Sequence, residues 1–179
     1  MKSALVTGGS TGIGLALARM LREEGHELTL VARRPEPLEE AASELGAASA
    51  AANLADADEC ARVVAEHAAR YGGMDVLVNS AGIGIGGSLG EQSNKAFSLQ
   101  LDVNLRATLI VTREALPLLR ASKGQVVTLA SIAGTIPTPG LAVYGATKAA
   151  LIALTNSLNR EEADNGVRAT AICPAFVAT

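Results

Sequence analysis

Short apolar runs alternate along this chain with longer stretches whose apolar residues recur every three or four positions. The runs predict strands over 3–7, 27–32, 48–52, 75–79, 125–131 and 167–173. The stretches between them predict helices over 12–24, 36–45, 91–120 (with a break near Asp102) and 143–163, and one that begins at an Asp56 cap and ends at Tyr71. Helical connections of this length join parallel strands, and right-handed crossovers place helices on both faces of the sheet. The pattern therefore predicts one doubly wound α/β domain over residues 1–179, a three-layer α/β/α Rossmann fold.

Local signals refine two of the element ends. Asp56 and Glu59 have the spacing of a capping box, in which the first residue caps the helix and the acid three positions later reaches back to it. Glycines 82, 84, 86, 87 and 90 follow the fourth predicted strand. So many glycines at the carboxyl end of a strand indicate a mobile loop.

The composition excludes several classes of function. Of the 179 residues, 49% are hydrophobic and 18% are charged, which is enough apolar surface for one compact core. A net charge of -3 gives no electrostatic attraction to nucleic acid or to an anionic membrane. Aromatic residues make up only 2% of the chain, so a surface for stacking bases is not expected. No apolar run approaches the ~20 residues that a membrane span needs.

The cysteines and the N-terminus point to the cytoplasm. Cys60 and Cys173 are far apart and lack metal or redox spacing, so we interpret both as buried thiols in a reducing compartment. Met1 leads directly into the first strand, without the pattern of a signal peptide. His26 and His67 lie on or beside predicted helices and are interpreted as surface residues without a role.

The first strand ends in a glycine-rich turn that carries Gly8, Gly12 and Gly14. A strand that turns tightly into a helix leaves backbone N–H groups at the helix N-terminus, where they can hold a pyrophosphate. An ordinary strand–helix turn is the alternative, since glycine-rich turns are common. The turn predicts a dinucleotide site if the rest of the chain supplies the remaining contacts.

The end of the second strand bears on which dinucleotide binds. Sites selective for NAD place a carboxylate there to accept hydrogen bonds from the ribose. Here the strand ends in Ala32, Arg33 and Arg34, with no acid before Glu36. Because Arg33 can donate to a 2′-phosphate, this end predicts NADP(H) as the preferred cofactor, with NAD(H) and two solvated arginines as the alternative.

The candidate chemistry lies in the second half of the chain. Tyr144 and Lys148 are four residues apart and so share one face of a predicted helix. A nearby ammonium favours the phenolate, which would let Tyr144 exchange a proton with a substrate oxygen during hydride transfer. Ser131 ends a buried strand and can donate to the same oxygen, although a cap or loop hydroxyl is an equal alternative. Asn104 is a polar residue in an apolar helical stretch, which suggests either a kink or water site or a satisfied core amide.

These motifs together resemble the short-chain dehydrogenase/reductase family in its single-domain branch. The resemblance rests on Thr7-Gly8-x-x-x-Gly12-x-Gly14, Asn79-Ser80-Ala81-Gly82, Asn104, Ser131, Tyr144-x-x-x-Lys148 and Pro174-Ala175-x-x-x-Thr179. It implies an NADP(H)-dependent oxidoreductase acting on a carbonyl or secondary alcohol. Tyr144 would be the acid/base, Lys148 its activator and a ribose ligand, Ser131 a donor to the substrate oxygen and Asn104 the anchor of a proton-relay water. The implied cofactor contacts are Gly8, Ser10, Thr11, Gly12, Ile13, Gly14, Arg33, Asn53, Leu54, Asn79, Ala81, Gly82, Tyr144, Lys148, Pro174, Ala175 and Thr179.

The resemblance also carries expectations about the whole molecule. It implies a small-molecule substrate and a homodimer or homotetramer formed through helices 91–120 and 143–163. Members of the family usually continue for several tens of residues past the position of Thr179, with a substrate lid, a seventh strand and a closing helix. We therefore expect further sequence beyond Thr179. If the chain ended there, a catalytically silent NADP(H)-binding protein would be the alternative.

Overall fold

The computed structural model describes residues 2–175. Over that range one six-stranded sheet forms in the order β3-β2-β1-β4-β5-β6, and every neighbouring pair is parallel. The strands are β1 Ser3–Thr7, β2 Glu27–Ala32, β3 Ala48–Ala51, β4 Val76–Asn79, β5 Gln125–Leu129 and β6 Arg168–Ile172. The α-helices are α1 Gly12–Glu23, α2 Pro35–Leu45, α3 Ala57–Tyr71, α4 Asn94–Gln100, α5 Ala107–Ser122 and α6 Ala142–Glu161. The predicted doubly wound Rossmann arrangement is confirmed.

The core has two parts, one on each face of the sheet. On one face α3 and α5 pack over strand residues such as Leu5 and Leu77, both fully buried. On the other face α1 and α2 cover Leu28 and Leu30 among others. Burial on both faces explains why the three central residues of β1 are all apolar.

The predicted helix over 91–120 divides into three pieces, as the polar interruption near Asp102 suggested. Between α4 and α5 the backbone forms a π-helical segment, Leu101–Arg106, which accommodates one extra residue in the turn. The side chains of α4 therefore point in different directions from those that a continuous α-helix with α5 would give them. Asn104 lies inside this segment and is fully buried.

The start of α3 confirms half of the predicted capping box. The Asp56 carboxylate accepts a hydrogen bond from the Asp58 backbone N–H at 2.9 Å, as a cap does. Glu59 does not reach back to the cap, because its carboxylate pairs with Arg62 at 2.7 Å. Within residues 2–175 no helix is both long and apolar enough to cross a bilayer.

Three expectations about burial were wrong. Both histidines are buried. His67 on α3 is hydrogen-bonded to the side chains of Ser3 and Thr29 on the sheet. The His26 Nδ1 lies 3.2 Å from the Leu21 carbonyl oxygen, within hydrogen-bond distance. Cys173 is exposed, since it follows the last residue of β6 and no described helix covers it, whereas Cys60 is buried as expected. Burial at Cys60 raises its pKa to about 11, so this thiol stays protonated.

Candidate active site

A cleft opens at the carboxyl ends of β1, β4 and β5. Strand order reverses beside β1, and such a switch point is where open α/β sheets bind ligands. The cavity has a volume of about 390 Å³. Its lining comes from the glycine turn, the segment after β4, the end of β5, α6 and the residues after β6: Gly8, Thr11, Gly12, Ile13, Gly14, Ser80, Ala81, Gly82, Ile83, Gly84, Leu129, Ala130, Ser131, Tyr144, Lys148, Pro174 and Ala175.

The glycine turn requires glycine at two of its positions. Gly8 has φ +66°, and a Cβ there would lie 2.9 Å from the Ala81 backbone nitrogen. A Cβ on Gly14 would overlap the Gly8 carbonyl oxygen, so only glycine lets α1 begin this close to β1. The adjoining Thr7 hydroxyl accepts hydrogen bonds from the Ser80 and Ala81 backbone N–H groups at 3.1 and 3.2 Å. The turn and the segment after β4 are thereby fixed to each other.

The N-terminus of α1 faces this turn. Its cap residue, Thr11, makes no side-chain hydrogen bond to the helix backbone. The first backbone N–H groups of a helix have no partner within it and carry a partial positive charge. Together with the glycine turn they form a cradle with the shape and charge for a pyrophosphate.

A second cavity, of about 260 Å³, extends from the first toward the ends of β2 and β3. The two cavities share Gly8, Thr11, Ala81, Gly82 and Ile83, so they form one cleft. The rest of its lining is Ser10, Ala32, Arg33, Arg34, Ala52, Asn53, Leu54, Leu99 and Val103. Within residues 2–175 neither arginine pairs with a carboxylate. The residues present therefore fit a dinucleotide, and two cations lie at this end of the cleft.

Tyr144 and Lys148 lie one turn apart on α6 at the other end of the cleft. The Lys148 Nζ is 5.6 Å from the centroid of the Tyr144 ring. Lys148 is 4% exposed, and its Nζ donates a hydrogen bond to the Leu129 carbonyl oxygen at 2.6 Å. Burial lowers the pKa of Lys148 to about 8, so the amine still carries its proton at neutral pH.

Ser131 begins the 3-10 turn Ile132–Gly134 that follows β5. Its Oγ accepts a hydrogen bond from the Ala133 backbone N–H at 3.2 Å, so the cap interpretation is confirmed. Accepting this bond leaves the hydroxyl proton available to the cleft, which Ser131 also lines. The two roles are therefore compatible.

Two buried amide side chains lie behind the cleft, and Asn104 holds its backbone. The Asn104 Oδ1 accepts from the Ile83 N–H at 2.8 Å, and its Nδ2 donates to the Ile83 carbonyl oxygen at 2.9 Å and to the Thr147 Oγ1 at 3.1 Å. Asn104 is thus a satisfied core amide, one of the two alternatives. Asn79 is also buried, with its Nδ2 donating to Thr112 Oγ1 at 3.0 Å. It lies beneath the cleft and does not line it.

Most of the sequence-predicted residues lie in the cleft. Asn79 and Asn104 act from behind it, and Thr179 lies outside the described residues. Sequence reasoning missed a set of lining residues, most of them small or apolar, namely Ala32, Arg34, Ala52, Ser80, Ile83, Gly84, Leu99, Val103, Leu129 and Ala130. Arg34 was visible as a second cation next to Arg33, whereas the apolar positions resemble ordinary core. Within the described chain no cluster of three or more histidine, cysteine or acidic side chains is arranged to hold a metal.

This chain matches the model of a known protein family over nearly its whole length. The family model for short chain dehydrogenases matches residues 2–179. An uncharacterized oxidoreductase of Staphylococcus epidermidis is 38% identical over 184 residues, which is 99% of this chain and 79% of the relative. A 3-oxoacyl-(acyl-carrier-protein) reductase of Staphylococcus aureus is 38% identical over 183 residues, which is 98% of this chain and 74% of the relative.

Solved structures agree with this match. A short-chain dehydrogenase from Streptomyces avermitilis superposes with a TM-score of 0.94 at 32% identity, over 99% of this chain and 66% of that one. A short chain dehydrogenase from Burkholderia cenocepacia, crystallised in complex with NADP, superposes with a TM-score of 0.93 at 33% identity, over 97% of this chain and 73% of that one.

Proposed function

The chain belongs to the short-chain dehydrogenase/reductase family, and we propose that it transfers a hydride between NADP(H) and a carbonyl or secondary alcohol substrate. In this proposal residues 1–179 are one domain that binds the dinucleotide and also carries the catalytic residues Ser131, Tyr144 and Lys148, with Asn104 supporting them. The observation that carries it is that Tyr144 and Lys148 line the same cleft as the glycine turn. A phenol, an ammonium and a pyrophosphate cradle in one cleft are the parts that such a reaction needs.

The chain's own groups supply the proton in this reaction. When bound, NADP(H) supplies or accepts the hydride. In the direction of reduction, the Tyr144 hydroxyl gives its proton to the carbonyl oxygen as the hydride reaches the carbonyl carbon, and the product is the alcohol. The Lys148 ammonium, 5.6 Å from the ring, stabilises the phenolate that remains. The Ser131 hydroxyl donates a hydrogen bond to the same substrate oxygen, where negative charge develops.

Preference for NADP(H) over NAD(H) rests on the adenosine end of the cleft. Arg33 and Arg34 both line it, and no acid replaces them at the end of β2. A guanidinium forms strong charge-assisted hydrogen bonds to a phosphate, whereas a carboxylate at this position would repel it. The neighbouring solved structure in complex with NADP is consistent with this preference. Asn53 and Leu54 would contact the adenine.

The name of one relative suggests a substrate to test, and the family resemblance suggests an assembly. One relative is named as a 3-oxoacyl-(acyl-carrier-protein) reductase, so a 3-oxoacyl thioester is the first carbonyl compound to test. Self-association as a dimer or tetramer would use helices 91–120 and 143–163. Leu101 on the π-helical segment is 46% exposed and Leu109 on α5 is 42% exposed, which suits a surface that a second copy covers.

The proposal is tested by measuring NADPH oxidation with 3-oxoacyl thioester and ketone substrates, in parallel with NADPH binding. Tyr144→Phe keeps the ring and removes the proton donor, so we expect turnover to fall by roughly 10²–10⁴-fold while NADPH binding changes little. Near-normal turnover of this variant would remove Tyr144 from the mechanism. NADPH binding by the unaltered protein without turnover of any carbonyl or alcohol would instead favour a silent binding protein.

A further inference from the structure

The segment after β4 is held by side chains in the manner of a paired strand. Residues 83–87 follow β4 along the rim of the cleft, and Asn104 satisfies both backbone groups of Ile83. Two residues further on, the Gln100 Oε1 accepts from the Ile85 N–H at 3.1 Å, and the Gln92 Nε2 donates to the Ile85 carbonyl oxygen at 3.1 Å. Alternate residues of an extended chain point their backbone groups to one side, and here three side-chain amides meet that side. We call Gln92, Gln100 and Asn104 the amide clamp.

Two members of the clamp, Gln92 and Gln100, are also bonded to each other. The Gln100 Nε2 donates to the Gln92 Oε1 at 3.1 Å, and the Gln92 Nε2 also reaches the Gly87 carbonyl oxygen at 3.2 Å. Gln100 is fully buried at the end of α4, where an apolar side chain would avoid the cost of burying an amide. Because its Oε1 and Nε2 both have partners, that cost is offset, and the hydrogen bond to Ile85 is what the amide adds.

The clamped segment borders the reacting end of the cleft. Gly84 lines the cavity, and a Cβ on it would lie 3.6 Å from the Tyr144 Cδ2. At its far end, the Gly87 N–H donates to the Gly140 carbonyl oxygen at 2.9 Å, which joins this segment to the loop that precedes α6. Movement of the segment would therefore change the space beside the Tyr144 ring, where the substrate has to fit.

We propose that Gln100 is a positioning residue for the substrate, acting by holding the backbone of residues 83–87 against Tyr144 through the amide clamp. This rests on the proposed function, because it assigns Gln100 to the carbonyl substrate of that reaction. Ile83 lines both parts of the dinucleotide cleft and is held by Asn104, whereas Ile85 lines neither of these cavities. Gln100 thus governs the part of the segment beyond the cofactor cleft, and its loss weakens substrate use while dinucleotide binding stays unchanged.

The first experiment replaces Gln100 with methionine, which has similar length and no hydrogen-bonding amide. We expect the Ile85 amide to exchange its hydrogen about tenfold faster, because this partly buried N–H loses its hydrogen bond, and loss of one such bond costs about that factor. In the same variant we expect the KM for the carbonyl substrate to rise about tenfold, with kcat changed less and the Kd of NADPH within about twofold. Gln125→Met is the matched control, since it removes an amide at the opposite end of the sheet, where β5 begins.

A second variant tests the proposal even if Gln100→Met does not fold. Gln92 is only half-buried, so Gln92→Met removes donors to the same segment at smaller risk to the fold. We expect it to raise KM in the same direction and to speed exchange at the amides of residues 85–87. Unchanged exchange and unchanged KM in both glutamine variants would overturn the proposal, as would equal losses of NADPH binding and substrate use.

The outcome for the clamp can be separated from the outcome for the proposed function. Hydrogen exchange is measured on the unliganded protein and needs no turnover. If the unaltered protein reduced no carbonyl compound, the proposed function would fail while the exchange result still tested the clamp. If it turned over normally and Gln100→Met behaved like Gln125→Met in both exchange and KM, the clamp alone would be refuted.

Discussion

Arg33 is the single residue on which the cofactor preference most depends. It is exposed at the end of β2, and within the described residues it has no acidic partner. Arg33→Asp replaces a phosphate donor with a group that repels a 2′-phosphate and accepts from ribose hydroxyls. We expect the ratio of Kd values for NADH and NADPH to change by about a hundredfold in favour of NADH, since charge-assisted hydrogen bonds contribute about 1.5–3 kcal/mol. Titration with each dinucleotide measures this ratio.

The control for Arg33→Asp is Arg160→Asp, which makes the same change in net charge near the end of α6, away from the cleft. It should leave the ratio of affinities as it is in the unaltered protein. If both variants shift the ratio equally, the effect comes from overall charge and Arg33 has no specific role.

Lys148 gives the cleft a dependence on pH. Its burial lowers the pKa from 10.5 to about 8, so the ammonium present at pH 7 is lost as the pH rises through about 8. We expect NADPH affinity to decline over that interval, because the neutral amine is a weaker partner for ribose hydroxyls and phosphate. Isothermal titration of NADPH between pH 7 and pH 9 provides the measurement.

The matched variant is Lys148→Met, which should bind NADPH more weakly and with a flatter pH profile. An unaltered protein whose profile is as flat as that of Lys148→Met would show that Lys148 does not titrate in this range or does not contact the dinucleotide.

The residue types that the sequence could identify were those whose chemistry is rare. Tyr144, Lys148 and the three glycines of the first turn were found because few other functions need them at those spacings. The burial of His67 was missed because it depends on partners that are distant in the chain. His67 is paired with Ser3 and Thr29, which are 64 and 38 positions away. Gln100 gave no signal for the same reason.

Among the elements, the start of α1 has the least tolerance for change. A Cβ on Gly14 would overlap the Gly8 carbonyl oxygen, so Gly14→Ala must push α1 away from β1. We expect the free energy of unfolding to fall by about 1–3 kcal/mol and NADPH binding to be lost, because the cradle is built from both elements. Urea unfolding and NADPH titration of the variant test the two effects.

Gly73→Ala serves as the comparison for Gly14→Ala. Gly73 lies between α3 and β4, and a Cβ there would meet no atom within 4 Å. It should unfold and bind NADPH like the unaltered protein. Equal behaviour of the two alanine variants would mean that the close approach at Gly14 is not needed.

The order and type of the elements followed from apolar periodicity, and most boundaries agree within two residues. The interruption near Asp102 was visible as a polar position, yet its π-helical form was not. One extra residue in a turn keeps the apolar pattern nearly helical, so the sequence does not distinguish a kink from a widened turn. The glycines of the segment after β4 indicated mobility, whereas hydrogen bonds from the amide clamp hold its backbone at alternate residues.

At the scale of the whole molecule, one buried histidine connects stability to pH. His67 on α3 shares hydrogen bonds with Ser3 Oγ on β1 at 3.3 Å and with Thr29 Oγ1 on β2 at 2.8 Å. Burial lowers its pKa from 6.5 to about 4, so the folded protein keeps it neutral while the unfolded chain protonates it below pH 6.5. The unfolded state thus binds more protons, and stability falls as the pH drops from 6.5 toward 4. We expect this group to contribute a loss of roughly 3 kcal/mol, measured by urea unfolding at several pH values.

The variants that isolate this effect are His67→Gln and Tyr71→Phe. The first removes the titrating group and should flatten the dependence between pH 6.5 and pH 4, even if it lowers stability at pH 7. The second removes a hydrogen bond from the Tyr71 hydroxyl to the Leu28 carbonyl oxygen at 3.0 Å on the same helix. Tyr71→Phe should lower the free energy of unfolding by a similar amount at every acidic pH and leave its pH dependence unchanged. If His67→Gln also kept the pH dependence of the unaltered protein, His67 would not be the group responsible.

The overall fold could be predicted because each level of the sequence indicated the same answer. Strand–helix alternation, the length of the connections and the glycine turn all favour a doubly wound sheet, and this agreement is what specifies a fold. The hydrogen bonds that hold the backbone at the edge of the cleft could not be predicted in the same way. Asn104 and Ile83 are 21 positions apart, and only the packing of the helix between β4 and β5 brings them together.

The widened turn at Leu101–Arg106 limits which insertions and deletions this protein can accept during evolution. Each residue of an α-helix advances the side chains by about 100°, so deleting a single residue there would restore a regular helix and turn α4 by that angle relative to α5. Gln100, at the end of α4, would then turn away from the segment that it holds, while α5 kept its place on the sheet. Substitutions can adjust the amide clamp gradually, but a one-residue deletion would detach it in a single step. The number of residues between α4 and α5 is therefore constrained by the shape of the substrate end of the cleft.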